Sequence, residues 1–231
     1  MFVIFFAGKN HVGKTIMSKH IAKTLERNLG FKTEQMSFAD PVRDELIELY
    51  GLPAEIIFDK TINKNTTMVT LGNYQYDREI PKLWRKFGFV DSFDEYRNTT
   101  ISLREVFITH ATRIRRAQDP DYWVKEFTSL ANRLPHDTDF LIIDDARYHN
   151  EFMFGDHKHI VWLENGSQYE SDITQDAALK WYNDNKDLVT TADVKIPLLN
   201  CECDRVLVRH IAPHIPVIKQ RFFAAGRKQR Q

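Results

Sequence analysis

The chain opens MFVIFFAGKNHVGKT, and no other stretch restricts the fold as much. Phe2 to Phe6 is apolar at every position, which predicts a strand buried on both faces. Gly8-Lys9-Asn10-His11-Val12-Gly13-Lys14-Thr15 follows at once and satisfies G-x-x-x-x-G-K-[ST] in full. From Lys14 to Leu29 the spacing turns helical, through Ile16, Ile21, Leu25 and Leu29, and Gly30 supplies the stop. Strand, glycine turn and helix in that order make a phosphate cradle. Backbone N–H groups of the turn point inward, and the helix start adds partial positive charge. Lys14 then reaches the β- and γ-phosphates of a nucleoside triphosphate, and the Thr15 hydroxyl offers an oxygen to Mg²⁺. The motif therefore points to ATP and Mg²⁺, with Gly8 through Thr15 as the binding residues. It does not identify what receives the phosphate.

The remaining chain alternates strand and helix patterns. Thr33 to Phe38 reads as a second strand, and Ala39-Asp40-Pro41 opens a helix, with Asp40 as its cap, that runs to Tyr50. Residues 52–98 mix Pro, Asn, Thr, Gly and aromatics, and read as an insertion over the site without a core of its own. Helical patterns return over Ser102 to Arg116 and Asp121 to Leu134. Phe140 to Ile143 is a buried strand that ends in Asp144-Asp145. His159 to Leu163 and Val194 to Ile196 read as strands, Ile173 to Asn183 and Cys203 to His210 as helices, and residues 218–231 as a basic tail. The implied fold is α/β: one kinase-like domain over 1–231, with a mostly parallel sheet flanked by helices.

Charge narrows the partners. Lys+Arg and Asp+Glu are both 32, so no bulk field favours nucleic acid or a membrane surface, and neither is expected as a partner. No apolar run approaches the roughly 20 residues that a membrane span needs. The N-terminal apolar stretch lacks a charged leader, and Cys201 and Cys203 read as free thiols; together these imply a cytoplasmic setting. A homodimer is an allowed assembly.

Phosphoryl transfer needs a metal-side carboxylate and cations for the migrating charge. Asp144 and Asp145 end a predicted central strand, and adjacent strand residues face opposite ways, so one of them is expected at the site. Arginine suits the second task because its guanidinium is planar and bidentate. Arg43, Arg78, Arg85, Arg97, Arg104, Arg113, Arg115, Arg116 and Arg147 are on offer. Arg147 follows the carboxylate strand at the end where α/β ligands bind. Arg113 to Arg116 reads equally as a phosphate lid or a solvated helix end, and His157-x-His159 lacks a third ligand for a metal.

Several segments in order resemble the phage-type deoxynucleoside monophosphate kinases. They are Gly8–Thr15, Phe38-Ala39-Asp40-Pro41-Val42-Arg43-Asp44, Tyr76-Asp77-Arg78-Glu79, Ser102-Leu103-Arg104, Tyr122-Trp123-Val124, and Asp145-Ala146-Arg147 with Asn150-Glu151. The resemblance spans about residues 1–165. It implies transfer of the ATP γ-phosphate to a deoxynucleoside 5′-monophosphate. It further implies that Arg78 and Arg104 grip the acceptor phosphate, that Trp123 packs near the acceptor base, and that Asp40 and Arg43 shape the acceptor pocket. Asp145, Arg147 and Glu151 would line the acceptor and metal side, with Lys14, Arg78, Arg104, Asp145 and Arg147 serving the transfer. The loop departs from the family, which often carries basic residues inside it and Asp after its lysine; here Asn10-His11 and Thr15 stand there. Two other readings remain: a kinase of this fold acting on a modified base in DNA or a non-nucleotide metabolite, and a non-catalytic nucleotide-binding protein.

Overall fold

A computed structural model describes residues 1–9, 12–59, 61–164, 173–194 and 200–216. Asn10, His11 and the 218–231 tail lie outside the described residues. The strands are β1 (Phe2–Gly8), β2 (Thr33–Met36), β3 (Met68–Thr70), β4 (Thr100–Ser102), β5 (Phe140–Ile143), β6 (Lys158–Glu164) and β7 (Thr190–Asp193). The helices are α1 (Lys14–Leu29), α2 (Ala39–Tyr50), α3 (Ala54–Phe58), α4 (Glu79–Lys86), α5 (Phe93–Asn98), α6 (Leu103–Ile108), α7 (Arg116–Gln118), α8 (Tyr122–Ala131), α9 (His149–Phe152), α10 (Ile173–Asp184) and α11 (Asn200–Val206). Among the described residues, no helix is long and apolar enough to cross a membrane.

The contacts divide the chain into two compact units, Met1–Phe38 with the chain from Leu130 onward, and Ala39–Ser129. The first unit is a five-stranded parallel sheet in the order β2-β5-β1-β6-β7, as the alternating pattern implies. β1 is central and pairs Phe5 with Ile143 on one side and with Ile160 on the other. Its apolar run is explained by burial on both faces. Ile4 and Phe6 join Ile142, Val161 and Leu163 under α1, through Met17, Ile21 and Leu25, and under the C-terminal Val206, Leu207 and Ile211. On the other face Phe5 meets the Phe152 ring at 5.9 Å, and Phe152 stacks on Trp181 of α10 at 3.9 Å. Gly30 closes α1 by returning its N–H to Glu26 at 3.0 Å. The last strand comes earlier than expected: β7 covers Thr190–Asp193, a polar sheet edge whose alternation the apolar Val194 obscures. Residues 195–199 lie outside the described residues. Cys201 and Cys203 are free thiols.

The expectation that 52–98 lacks its own core is corrected. Residues 39–129 form their own unit around Val42, Leu46 and Tyr50 of α2, with Ile57, Val69, Leu71, Ile80, Trp84, Tyr96, Leu103, Val106 and Trp123. β3 and β4 pair antiparallel in this unit, Val69 opposite Ile101. Asp40 does not cap α2 from outside; it lies in the first turn and pairs with Arg43 at 2.5 Å. The Ser102–Arg116 helix is not uniform: Ser102 caps α6, accepting the Glu105 N–H at 3.1 Å, and Thr109–Arg115 is a π-helix.

The π-helix has a physical cause in Glu45. His110 and Arg115 are five positions apart, which sets them well apart around an α-helix and close together around the wider π turn. Both reach Glu45 Oε2, His110 Nε2 at 2.7 Å and Arg115 Nε at 2.9 Å, and the Tyr122 hydroxyl donates to Oε1. Tyr50 extends the chain inward. Its oxygen accepts the Trp84 indole N–H at 2.9 Å, which leaves its proton for His110 Nδ1 at 3.1 Å. Burial alone would raise the Glu45 carboxyl, but the bonds from His110 and Tyr122 and the Arg115 charge hold it below its ordinary value. Burial pushes the fully buried His110 imidazole down, against the pull of Glu45.

Removing Glu45 would leave the half-buried Arg115 and two donors, one on the fully buried His110, without their acceptor. Glu45→Ala is expected to lower the stability of this unit by roughly 1–3 kcal/mol, read by tryptophan fluorescence during urea unfolding. Both pKa shifts point the same way in pH. A depressed carboxylate contributes stability above its unfolded value of 4.5, lost as pH falls through the folded value. A depressed histidine loses stability as pH falls below its unfolded value of 6.5. The unfolding midpoint should therefore drop from pH 7 toward pH 4; a midpoint that rises on acidification would contradict the assigned charge states.

Candidate phosphate-binding site

The site is built where β1 ends. Gly8 has φ +134°, and a Cβ there would stand 2.5 Å from the Leu163 carbonyl oxygen of the neighbouring strand, so the turn leaves the sheet only with glycine. Gly13 caps α1 in the left-handed region at φ 88°. Val12 is buried among Ile4, Phe6 and Met17, which pins the turn to the core. Lys14 lies in the first turn of α1 and folds back over the loop. Its Nζ donates to the Gly8 carbonyl at 2.9 Å and to the Lys9 carbonyl at 2.7 Å. Thr15 is exposed beside it.

The carboxylates arrive on β5, the direct neighbour of β1. They diverge, as consecutive residues leaving a strand do. Asp144 turns toward α1, where its Oδ2 accepts the Ser18 hydroxyl at 3.3 Å; Ser18 also donates to the Thr15 carbonyl at 3.1 Å. Asp145 turns toward the end of β2. Its Oδ1 accepts the Phe38 N–H at 2.8 Å, and its Oδ2 the Ser37 hydroxyl. Asp145 is the carboxylate that the resemblance puts on the metal side, and the geometry offers Asp144 beside it. Asp144 stands against the helix turn that carries Thr15, and Asp145 holds the β2 exit. The Thr15 hydroxyl and the Asp144 carboxylate are hard oxygen donors, the set that Mg²⁺ takes.

Arg147 completes the cluster. With Gly8, Lys9, Lys14, Ala146, Trp162, Ala178 and Leu179 it lines one cleft. Burial and then the Arg147 charge push the Lys14 ammonium down to about 8, against the pull of Asp144 and Asp145. Glu151, expected to face acceptor or metal, is 3% exposed, and its Oε2 accepts the backbone N–H groups of Arg147 at 2.6 Å and Tyr148 at 3.1 Å.

The remaining expected residues belong to the second unit. Arg43 pairs with Asp40 and lies over the Phe58 ring at 6.0 Å. Arg78 is exposed just ahead of α4, and Arg104 is half-buried in the first turn of α6. Trp123 is 1% exposed; its indole N–H donates to the Ala111 carbonyl at 2.9 Å, and Tyr122 and His110 pack on its ring. A ring so enclosed offers no face to a base, so Trp123 is a core residue. Arg113 pairs with Glu105, Arg115 with Glu45, and Arg116 donates to the Pro120 carbonyl at 3.1 Å, so the lid reading loses its free arginines. His159 Nε2 donates to the His210 carbonyl at 2.8 Å, and its ring stacks on His214 at 4.7 Å. The described residues hold no group of three or more His, Cys, Asp or Glu fit for a metal ion.

No protein-family model matches the chain, and no curated protein sequence does. Among solved structures, the BmCPV RNA-dependent RNA polymerase is similar at 11% identity and TM-score 0.41 at its elongation state, and at 12% and 0.42 at its quiescent state. The chain is covered over 90% and spans 42% of those polymerase chains. A Borrelia burgdorferi B31 structure solved as a plasmid partition protein bound to AMPPNP is similar at 12% identity and TM-score 0.32, over 96% of this chain and 98% of that one. Likenesses this distant assign no activity, and the description of the fold rests on the parallel sheet itself.

The Lys14 charge gives the site a pH signature. A polyphosphate needs the ammonium form, so affinity for inorganic pyrophosphate should fall as pH rises through about 8. Arg147→Ala removes a like charge and should move that fall to higher pH. Calorimetric titration between pH 7.5 and 9.5 reads both; affinity that is flat across this range would contradict the placement of Lys14.

Proposed function

We propose that the chain is a P-loop phosphotransferase that moves the γ-phosphate of ATP to a deoxynucleoside 5′-monophosphate, giving the diphosphate. The observation that carries the phosphate chemistry is the pairing of β1 with β5, which sets Lys14 and Asp144 at the same end of neighbouring strands. The choice of acceptor rests on the resemblance of the FADPVRD and DARYHNE segments to the phage-type kinases.

In this reading the loop N–H groups and the start of α1 hold the ATP phosphates, and Lys14 exchanges the Gly8 and Lys9 carbonyls for phosphate oxygens. Thr15 and Asp144 would hold Mg²⁺, which supplies charge neutralisation between the phosphates when bound. Arg147 neutralises charge that spreads over the transferred group, a task that needs positioning and electrostatics and no covalent nucleophile. Arg78 and Arg104 grip the acceptor phosphate, and Asp40 with Arg43 shapes its pocket; these roles come from the resemblance. The reaction places the protein in deoxynucleotide synthesis in a cytoplasm, that of the host if the chain is phage-encoded.

The test is a coupled ADP-release assay with Mg·ATP against dAMP, dCMP, dGMP, dTMP and the matching ribonucleotides. Acceptor-dependent ADP with one or more deoxynucleotides is expected. Lys14→Ala should lower kcat by about 10²- to 10³-fold with an unchanged circular-dichroism spectrum. Arg147→Lys, which keeps charge and loses the planar fork, should also lower kcat. ATP binding without acceptor-dependent ADP would reject this acceptor and favour a modified base in DNA, a small metabolite, or binding without transfer. An active Lys14→Ala protein would reject the loop assignment.

A further inference from the structure

The Asp145-Ala146-Arg147 turn carries an arginine to the mouth of the phosphate loop, and something must hold it there. The turn lies between β5 and α9 and belongs to no strand or helix. Glu151 supplies two of its hydrogen bonds. One oxygen of its buried carboxylate takes two successive backbone donors, Arg147 N–H at 2.6 Å and Tyr148 N–H at 3.1 Å. Bonds from amides to an ionised carboxylate are stronger than neutral ones, and a buried carboxylate is tolerated only when so satisfied.

Glu151 is itself held on a rigid base. α9 begins with Glu151 N–H and Phe152 N–H both returning to the Tyr148 carbonyl, at 3.0 and 3.2 Å. Phe152 is fully buried between Phe5 of the central strand and the Trp181 ring, and the Trp181 indole N–H donates to His149 Nδ1 at 3.1 Å. The line of contacts runs from the middle of β1 through Phe152 to Glu151, and from there to the backbone of Arg147.

We infer that Glu151 is a positioning residue: it locks the 147–148 turn onto α9 so that Arg147 is presented beside Lys14 at the phosphate loop. This rests on the phosphate-binding reading of the loop for its consequence, though not for the lock. It assigns Glu151 a role different from lining the acceptor or metal side. The lock needs the length of the side chain and an oxygen at its end. It does not need the negative charge to touch a ligand.

Two conservative variants separate reach from charge. Glu151→Gln keeps reach and an acceptor oxygen and loses the charge; Glu151→Asp keeps the charge and loses the reach. Affinity for a fluorescent ATP analogue with Mg²⁺ should stay within about twofold of wild type in Glu151→Gln and weaken about tenfold in Glu151→Asp. Arg147→Ala should weaken it similarly, and Glu151→Asp added to Arg147→Ala should cost nothing more, because both act through one guanidinium. Amide exchange measured by NMR without nucleotide should show Arg147 and Tyr148 N–H protected in wild type and Glu151→Gln and exposed in Glu151→Asp. The inference is overturned if Glu151→Gln is the more damaging change, if the double variant is additive, or if the two amides stay protected in Glu151→Asp. Should wild type bind no nucleotide, the phosphate-binding reading fails, and the amide exchange still decides the lock.

Discussion

The parallel pairing of β1 with β5 and β6 is the constraint on which the site depends. The register sets Phe5 opposite both Ile143 and Ile160, and this fixes where each strand lets go of the sheet. β1 leaves at Gly8, so close to Leu163 that a side chain could not pass. β5 ends at the Phe5 pair itself, Ile143, and Asp144 and Asp145 follow at once. A slip of one residue would exchange the two faces of β5 and send Asp144 away from α1. The apolar faces on both sides of the sheet penalise that slip: Ile142 packs under α1, while Ile143 belongs to the opposite face. The ends of the strands are therefore placed by burial, and polar contacts such as Ser18 with Asp144 and Glu151 with the Arg147 backbone then orient the side chains.

Legibility in the sequence follows from how long each signal is. The five-residue apolar run, the glycine turn and the sixteen-residue α1 carry period and punctuation together, and the structure reproduces the strand and the helix nearly residue for residue. The second unit was not legible as a body with a core. Leu52, Ile57, Val69, Leu71, Ile80, Trp84 and Tyr96 come from elements of only a few residues each, too short to display a period. The π-helix was equally hidden, because its cause is a side chain on another helix, Glu45, and not a local preference. At the site, residue types were readable and directions were not. Asp144 and Asp145 are chemically identical, and only the hydroxyls they meet, Ser18 and Ser37, tell them apart. Glu151 reads as a functional carboxylate because it closes a motif, whereas its position four residues after Arg147 also suits a bond back to the turn.

Glu45 shows why a polar network can sit inside a small core. Its carboxylate collects an imidazole, a guanidinium and a phenol, and Tyr50 accepts the Trp84 indole N–H while donating to His110. A buried ion group of this kind contributes little net stability compared with apolar packing, since desolvation offsets the attraction. Its effect is selection. The wider turn of the π-helix brings His110 and Arg115 to the same oxygen, so the network favours that backbone.

The candidate phosphate site gathers charge of both signs. Lys14 is held between two carbonyls of its own loop; burial and then the Arg147 charge lower its proton affinity, against the pull of Asp144 and Asp145. In the proposed reading an entering polyphosphate meets both cations at once, and its oxygens replace the loop carbonyls that hold Lys14. Lys14 and Arg147 line one cleft before any ligand arrives, so on that reading the groups that would meet the anion already converge.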